Sequence, residues 1–318
     1  MSVAFDELIE PYRRELTAHC YRMLGSIHDA EDVVQETYLR AWRARDAYDA
    51  SRASVRTWMY RIATNACLTA RAGDARRPMP SGVVAPSEPL APFVPSEVTW
   101  LQPLPDALLD SDDPARTVID RSTLRLAFVA ALQHLSARQR AVLILRDVLD
   151  FSAAETAELI DATVISVNSA LRRARATMSA SGVRADDEGG ASPEAEQREL
   201  VERYVTAFVS ANVEGLKQLL AEDVLLEMPP MTNWFTGRAG YTAFMEWVFT
   251  VNGDDWRTVP VAANGQPGFA AYVRDGDGYR LHTLQILDVG RDGITRNSVF
   301  LDQAVFTAFG LAPRLTTA

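Results

Sequence analysis

Nine of the sixteen prolines fall between residues 72 and 115, with APSEPLAPFVPSE at the centre. Proline lacks an amide proton and has a fixed φ, so this stretch is excluded from helix or sheet interior and is expected to be an extended linker. It divides the chain. On either side, residues 4–71 and 116–180 carry apolar residues at helical spacing with few breakers, whereas from 194 the pattern changes class. A helix (about 194–212) and a shorter one (about 213–221) precede strand-like runs at VLLEM, WRTVPVAA, FAAYVR, YRLHTLQILDV and ITRNSVFL. A further helix, AGYTAFMEWVFT, interrupts them, and Asp-Gly-Asp-Gly at 275–278 is a hairpin signal. A polar stretch, SGVRADDEGGASPE, joins the halves. The chain therefore reads as an all-α front of two modules on a proline tether, followed by an α+β back.

Charge has to be counted by segment. The net charge is −10, but residues 1–182 carry 21 Arg against 23 acids, whereas 183–318 carry 11 bases against 19 acids. Most of the acidity sits at the back, so the total does not exclude nucleic acid as a partner of the front. Lys217 is the only lysine, so nearly all positive charge is guanidinium, the better group for bidentate phosphate contacts. Cys20 and Cys67 show no metal-ligand spacing or disulfide framework and read as buried thiols in a reducing compartment. The start lacks a signal-peptide pattern and no apolar window reaches about 18 residues, so a cytoplasmic chain with no membrane partner is expected.

In the front, Asp32, Glu36, Arg40 and Arg43 recur at spacings of 4, 4 and 3 on one helix face. An ordinary solvated helix would look the same. In the next helix, about 52–71, Val55, Trp58, Met59, Ile62, Ala63, Ala66 and Ala70 form the expected core stripe. The opposite arc carries Arg56, Tyr60, Arg61, Thr64 and Arg71, with Asn65 at its edge. Six Arg against one acid between Arg52 and Arg77 could hold phosphates, and the aromatic and amide could meet unpaired bases. Further on, Ser136-Ala-Arg-Gln139 and Ser152-Ala-Ala-Glu155 fit capping boxes. A helix at about 152–160, the turn Asp161-Ala162-Thr163 and a helix at about 164–178 give helix-turn-helix spacing. In the last helix Val164, Val167, Leu171 and Ala174 are expected inside. Ile165, Ser166, Asn168, Ser169, Arg172, Arg173 and Arg175 face out, a set of small polar groups and Arg suited to base edges and phosphate.

The blocks YRMLGSIHDAEDVVQETYLRAWR, VRTWMYRIATNACLTARAGDARR, LSARQRAVLILRDVLDFSAAETAELI and VNSALRRARATM resemble the two domains of extracytoplasmic-function sigma factors. The back resembles the SnoaL-like polyketide-cyclase superfamily, a cone-shaped α+β barrel. The expected architecture is multidomain: two all-α sigma-factor domains, the second with the helix-turn-helix, and a SnoaL-like cone. The boundaries are 1–77, a Pro-rich acidic linker at 78–115, 116–181, a short linker at 182–193, and 194–318. The resemblance implies that Asp29, Asp32, Gln35, Glu36, Leu39, Arg40 and Arg43 dock on the clamp helices of RNA polymerase core, whose flap is a further contact. It implies minus-ten reading by Arg52, Arg56, Tyr60, Arg61, Asn65 and Arg71, and minus-thirty-five reading by the outward residues of the 164–178 helix. Members usually carry a glycine in the turn before that helix; here it is Asp161-Ala162-Thr163. The linker acids Asp106, Asp110, Asp112 and Asp113 resemble a tether through the polymerase, and a solvated spacer reads equally well.

For the back domain, the resemblance implies a pocket with Trp234, Tyr241, Trp247, Tyr272 and His282 as candidate lining, open to a small-molecule ligand. Phe235, Phe244, Trp256 and Phe300 are further candidates, although small barrels fill their interiors with such residues anyway. His282 is the domain's only histidine, with Glu227 and Asp288 as conceivable partners for acid–base work. The expectation is a non-enzymatic initiation factor without cofactor or metal, whose C-terminal domain modulates it in cis. The rival is a fused SnoaL-like enzyme or sensor with a DNA-binding half.

Overall fold

The computed structural model describes residues 2–70, 76–110, 119–180 and 194–316. The chain forms two compact units, and the boundary departs from the expected one: residues Met1–Arg77 and Gln102–Asp186 make the first, Pro78–Leu101 and Asp187–Ala318 the second. The proline-rich segment is thus not a free spacer. Its first part belongs to the C-terminal unit and its second to the helical one.

The helical unit opens with α1 (Ser2–Ile9), α2 (Arg13–Leu24), α3 (Ile27–Arg43) and α4 (Val55–Ala70). Helix α2 is buried from Glu15 to Leu24 and forms the axis of this module. It ends where Gly25 takes a left-handed φ of 69° and donates its N–H to Tyr21 O at 2.7 Å, a role suited to a residue without Cβ. Ser26 then caps α3 by accepting from Asp29 N. The second module contains α5 (Leu126–Leu132), α6 (Ala137–Leu143), α7 (Ala153–Leu159) and α8 (Val164–Ala180). Both capping boxes form, Ser136 with Gln139 and Ser152 with Glu155. Asp161 occupies the turn before α8 with a φ of 47°, a left-handed position that aspartate tolerates better than most side chains. The two modules share one core. Arg22 is buried and donates to Thr123 Oγ1 at 2.7 Å, and Arg140 donates to Leu132 O at 2.8 Å and to Met23 O.

Residues 102–110 pack on the helical unit: Gln102 O accepts from the Tyr21 hydroxyl at 2.7 Å and Leu104 is fully buried. Asp106 and Asp110 both pair with Arg121. Asp112 and Asp113 lie outside the described residues, as does the 182–193 linker.

The second unit begins its own elements with α9 (Glu194–Val209) and α10 (Val213–Leu219), then β1 (Leu220–Glu227), β2 (Trp234–Thr236) and α11 (Gly237–Asn252). There follow β3 (Trp256–Ala263), β4 (Gln266–Asp275), β5 (Gly278–Gly290), β6 (Gly293–Phe300), α12 (Gln303–Ala308) and β7 (Arg314–Thr316). The sheet order is β2-β1-β6-β5-β4-β3, with β7 on β5. Among the described strands, only the β1–β6 pairing is parallel; the others are antiparallel. The expected hairpin joins β4 and β5 with Asp275 opposite Gly278. Where those strands meet farther along, a Cβ on Gly268 would lie 2.3 Å from Gln285 O, so only glycine permits the approach. Helices α9 and α11 cover the sheet through Tyr204, Phe208, Tyr241, Phe244, Met245 and Phe249, which join Trp256 and Phe269 in one core.

Residues 78–101 lie along this unit as a strap. Ser81 N donates to Glu227 Oε1 at 2.9 Å, Ser87 N to Trp234 O at 2.8 Å, and Val94 N to Asn233 Oδ1 at 2.9 Å. Asn233 returns a bond to Pro92 O at 3.1 Å, Trp234 Nε1 reaches Val84 O and Trp100 Nε1 reaches Pro230 O, each at 3.0 Å. Proline did keep α-helix and strand out of this segment, leaving a short 3-10 turn at Pro80–Gly82 and a single antiparallel bridge from Pro95 to Met231. It did not exclude docking, because isolated amides between the prolines supply the bonds.

Candidate nucleic-acid interface

Helix α3 buries Ile27, Ala30, Val33, Val34, Thr37 and Ala41 and presents the opposite face to solvent. Asp32, Gln35, Leu39, Arg40 and Arg43 are exposed on it, Leu39 to 51%, which sets an apolar side chain among polar ones. Glu36 and Arg40 form an i,i+4 pair at 2.7 Å, and Asp29 is held by Arg77.

Helix α8 buries Val167, Ala170, Leu171, Ala174 and Met178. Val164, expected inside, is exposed; it stands in the first turn, ahead of the packed stripe. Ile165 is 83% exposed beside exposed Ser166, Asn168, Arg172 and Arg173, with Ser169 half-buried. Arg173 donates to Ser169 Oγ at 2.7 Å. Arg175 is held by a two-point bond to Asp147 at 2.7 and 2.9 Å, which strengthens its hold on its proton.

Helix α4 corrects the expected stripe. Met59, Tyr60, Ala63, Thr64, Ala66 and Cys67 are buried, while Val55, Trp58 and Ile62 are only half-buried and Ala70 is exposed. Tyr60 is fully buried rather than displayed: its hydroxyl donates to Glu15 Oε2 at 3.0 Å, and burial drives its pKa well up. Arg56 donates to the same oxygen at 3.0 Å and stacks over the Tyr60 and Phe151 rings at 4.9 and 5.4 Å. The second module covers much of the remaining arc. Phe151 meets Tyr60 edge-on at 5.5 Å, Asn65 Nδ2 donates to Leu159 O at 2.9 Å, and Arg61 pairs with Asp161 at 3.2 Å. Arg52 stays exposed, and Arg71 lies outside the described residues. A polar cavity of about 390 Å³ lies beside this arc, with Arg22, Arg56, Tyr60 and Asp120 in its wall. The amphipathic pattern missed the burial of Tyr60 because α4 packs on two sides.

In the second unit a cavity of about 170 Å³ opens among α9, α11 and the sheet. Trp247 and His282 line it, as do Phe244 and Trp256. Tyr241 lies behind it, its hydroxyl bonded to those of Tyr204 and, at 2.8 Å, to Asn297 Nδ2; burial pushes the Tyr241 pKa up to about 12. Trp234 is taken by the strap, Tyr272 donates to Ala312 O at 3.0 Å, and Phe235 and Phe300 are core. Sequence reasoning missed Phe93, a strap residue in the cavity wall, because nothing local to a proline-rich segment encodes a partner 150 residues away. The conceivable acid–base partners of His282 are engaged elsewhere: Glu227 pairs with Arg296 and accepts from Ser81 N, and Asp288 lies 4.0 Å from Arg296. His282 packs instead against Trp256 at 5.4 Å, and burial lowers its pKa to about 4. Among the described residues, no cluster of His, Cys, Asp and Glu could hold a metal ion, and no helix is long and apolar enough to cross a membrane.

These elements define a transcription protein with a helix-turn-helix module and an appended α+β cone. Residues 8–77 match the Sigma-70 region 2 family model, 125–178 match Sigma-70 region 4, and 201–296 match the SnoaL-like domain. The ECF RNA polymerase sigma factor SigG of Mycobacterium tuberculosis is 46% identical over 314 residues, covering 98% of this chain and 85% of that one. SigW of Bacillus subtilis is 28% identical over 176 residues, 54% of this chain and 85% of that one. The crystal structure of the M. tuberculosis extracytoplasmic function sigma factor SigJ aligns with a TM-score of 0.64 at 20% identity, covering 97% of this chain and 99% of that one. The chain belongs to the ECF RNA polymerase sigma factors and carries a SnoaL-like domain behind the two sigma regions.

Proposed function

We propose that the chain binds RNA polymerase core through the exposed face of α3 on the clamp helices and through its second module on the flap, and directs initiation at specific promoters. In this reading α8 reads the minus-thirty-five element and α4 the minus-ten element. The exposed face of α8 is the observation that carries it: Ile165, Asn168, Arg172 and Arg173 project from a helix whose other side is buried in the module. The bonds from Asn65 and Arg61 to Leu159 and Asp161 support a closed form of the free protein, in which the second module covers part of the minus-ten arc. Binding core would then separate the modules. Energy transfer between dyes on cysteines introduced at Arg52 and Asn168 tests this, because Cys20 and Cys67 are buried and escape labelling. Transfer is expected to fall when core is added, and unchanged transfer overturns the closed form.

The C-terminal domain acts in this reading as a regulator in cis rather than as an enzyme. Its hold on residues 78–101 supports this, since that segment is the tether between the modules. The engagement of Glu227 and Asp288 with Arg296 leaves His282 without a carboxylate for acid–base work. Truncation after Ser181 should raise in-vitro transcription severalfold, because the tether is then unrestrained. Activity identical to the full chain overturns cis control.

A further inference from the structure

Among the described residues, Ile165 is the most exposed large apolar side chain, at 83%, and its neighbour Val164 is 43% exposed. Neither holds the module together, since the buried stripe of α8 begins at Val167. A single exposed isoleucine would need no explanation elsewhere on a protein. This one is marked by its surroundings. One turn further along its face stand Asn168 and Ser169, and two turns along stands Arg172. Helix α8 carries three arginines and no aspartate or glutamate. A hydrophobic tip ringed by an amide, hydroxyls and guanidinium groups is poorly suited to the apolar centre of a protein interface, which is depleted in charge. It suits a polyanion that presents one apolar group among many polar ones.

Duplex DNA is such a surface. Every base pair offers hydrogen-bonding groups in the major groove, and the apolar feature there is the C5 methyl of thymine. The first turn of α8 is also held ready. Thr163 Oγ1 accepts from Ser166 N at 3.2 Å and Thr163 O accepts from Val167 N at 3.0 Å, which fixes the backbone around Ile165. A β-branched side chain in a helix has little rotamer freedom left to lose on contact. At 1.5 Å per residue, Ile165 stands roughly 10 Å ahead of Arg172 along the axis, about the rise of three base pairs.

We propose that Ile165 selects a thymine in the upstream promoter element by packing on its C5 methyl, about three base pairs from the pair that Arg172 meets. Arg172 and Asn168 then supply the polar readout and Ile165 the apolar one. The assignment rests on the reading of α8 as the minus-thirty-five helix, and the test below lets the two fail separately.

The test uses the full chain assembled with polymerase core. Promoter duplexes selected from a randomised pool define the upstream element. Each thymine in it is then replaced in turn by deoxyuridine, which pairs as thymine does and lacks only the methyl. At one position the replacement should weaken binding about fourfold, the value of burying one methylene-sized group. Ile165→Ala should keep the parent's thermal stability, because the side chain is exposed. It should bind the thymine duplex about fourfold more weakly and lose no more when deoxyuridine is placed at that position. An element with no methyl-sensitive position, or one whose sensitivity survives in Ile165→Ala, overturns the thymine contact and leaves α8 as the reader. Weaker assembly of Ile165→Ala with core, with deoxyuridine silent, also overturns it and places the side chain on the polymerase. A pool that yields no upstream preference removes the reader and the contact together.

Discussion

Leu101 donates its backbone N–H to the carbonyl of Pro78 at 3.2 Å, so the two ends of the docked strap meet. The tether leaves the C-terminal unit where it entered. Fully extended, residues 78–101 would span roughly 80 Å; docked, they add almost nothing to the distance the two sigma modules can part. The first module ends at this neck, and Gln102, the first residue beyond it, donates to Gly25 O at 3.0 Å. Control of the tether is therefore control of how far the two sigma regions can separate.

Asn233 is the central anchor of the strap, accepting from Val94 N and donating to Pro92 O while itself buried. Asn233→Ala leaves a backbone N–H and a carbonyl to find water, at a cost of about 1–3 kcal/mol if they stay buried. Exchange at strap amides should rise while exchange in α2 is unchanged. Equal protection of the strap in both chains would show that Asn233 does not hold it.

Charge reversal at Asp32 and Glu36 together should weaken association with polymerase core without changing thermal stability. Both lie on the solvent side of α3, and the Glu36–Arg40 pair, with each side chain over 40% exposed, is worth only about 0.3–0.5 kcal/mol. Co-purification with core at the parent level counts against the α3 surface.

Arg172→Ala and Arg173→Ala should each weaken minus-thirty-five binding by about 1–3 kcal/mol if the residue reads a base, with relaxed specificity at one position. A phosphate contact would instead weaken all sequences alike and flatten the salt dependence. Arg175→Ala should do less to DNA and more to the module, since Asp147 already occupies its guanidinium. Parent-like binding of every promoter by both the Arg172 and Arg173 variants would remove α8 as the reader.

Acid should destabilise both units. His19 is fully buried with Nε2 on Thr64 Oγ1 at 3.0 Å; burial first, then Arg22 and Arg56, lower its pKa from 6.5 to about 3. Burial and then Arg280 lower that of His282 to about 4. Both stay neutral in the native state while the unfolded chain takes up protons below pH 6.5. Their contribution is therefore complete above that value and is lost as pH falls toward 3 or 4, at up to about 1.4 kcal/mol per pH unit for each. Denaturant titrations from pH 7.5 to 4.5 should show the decline, and His282→Gln should flatten it for the C-terminal unit alone. A pH-independent midpoint would contradict the neutral buried state.

The elements were legible where one local signal sufficed. Both capping boxes formed on the serines that the pattern marked, WRTVPVAA is a strand over its whole length, and Val167, Leu171 and Ala174 are the buried stripe of α8. Three short elements, β2, α12 and β7, were missed because three to six residues give too little periodicity to register. Tyr60 and Phe93 failed for a different reason. Tyr60 is buried by Glu15 and by Phe151 of the other module, and Phe93 meets α11 across 150 positions of chain. Neither partner leaves a mark on the sequence near the residue it meets. Of the site residues, Trp247 and His282 were found from composition because a cone must be lined by something bulky, whereas the wall contributed by the strap could be seen only once the tether was placed.

The strap also imposes an order in time. Its residues leave the ribosome well before the surface that receives them, because Asn233, Pro230 and Trp247 are all far downstream. At 5–20 residues per second, synthesis from Asp187, just beyond the helical unit, to Trp247 takes roughly 3–12 s. Throughout that interval the helical front has been made while its tether is unclasped, so each newly made molecule passes through the unrestrained form before the domain that receives the strap can fold.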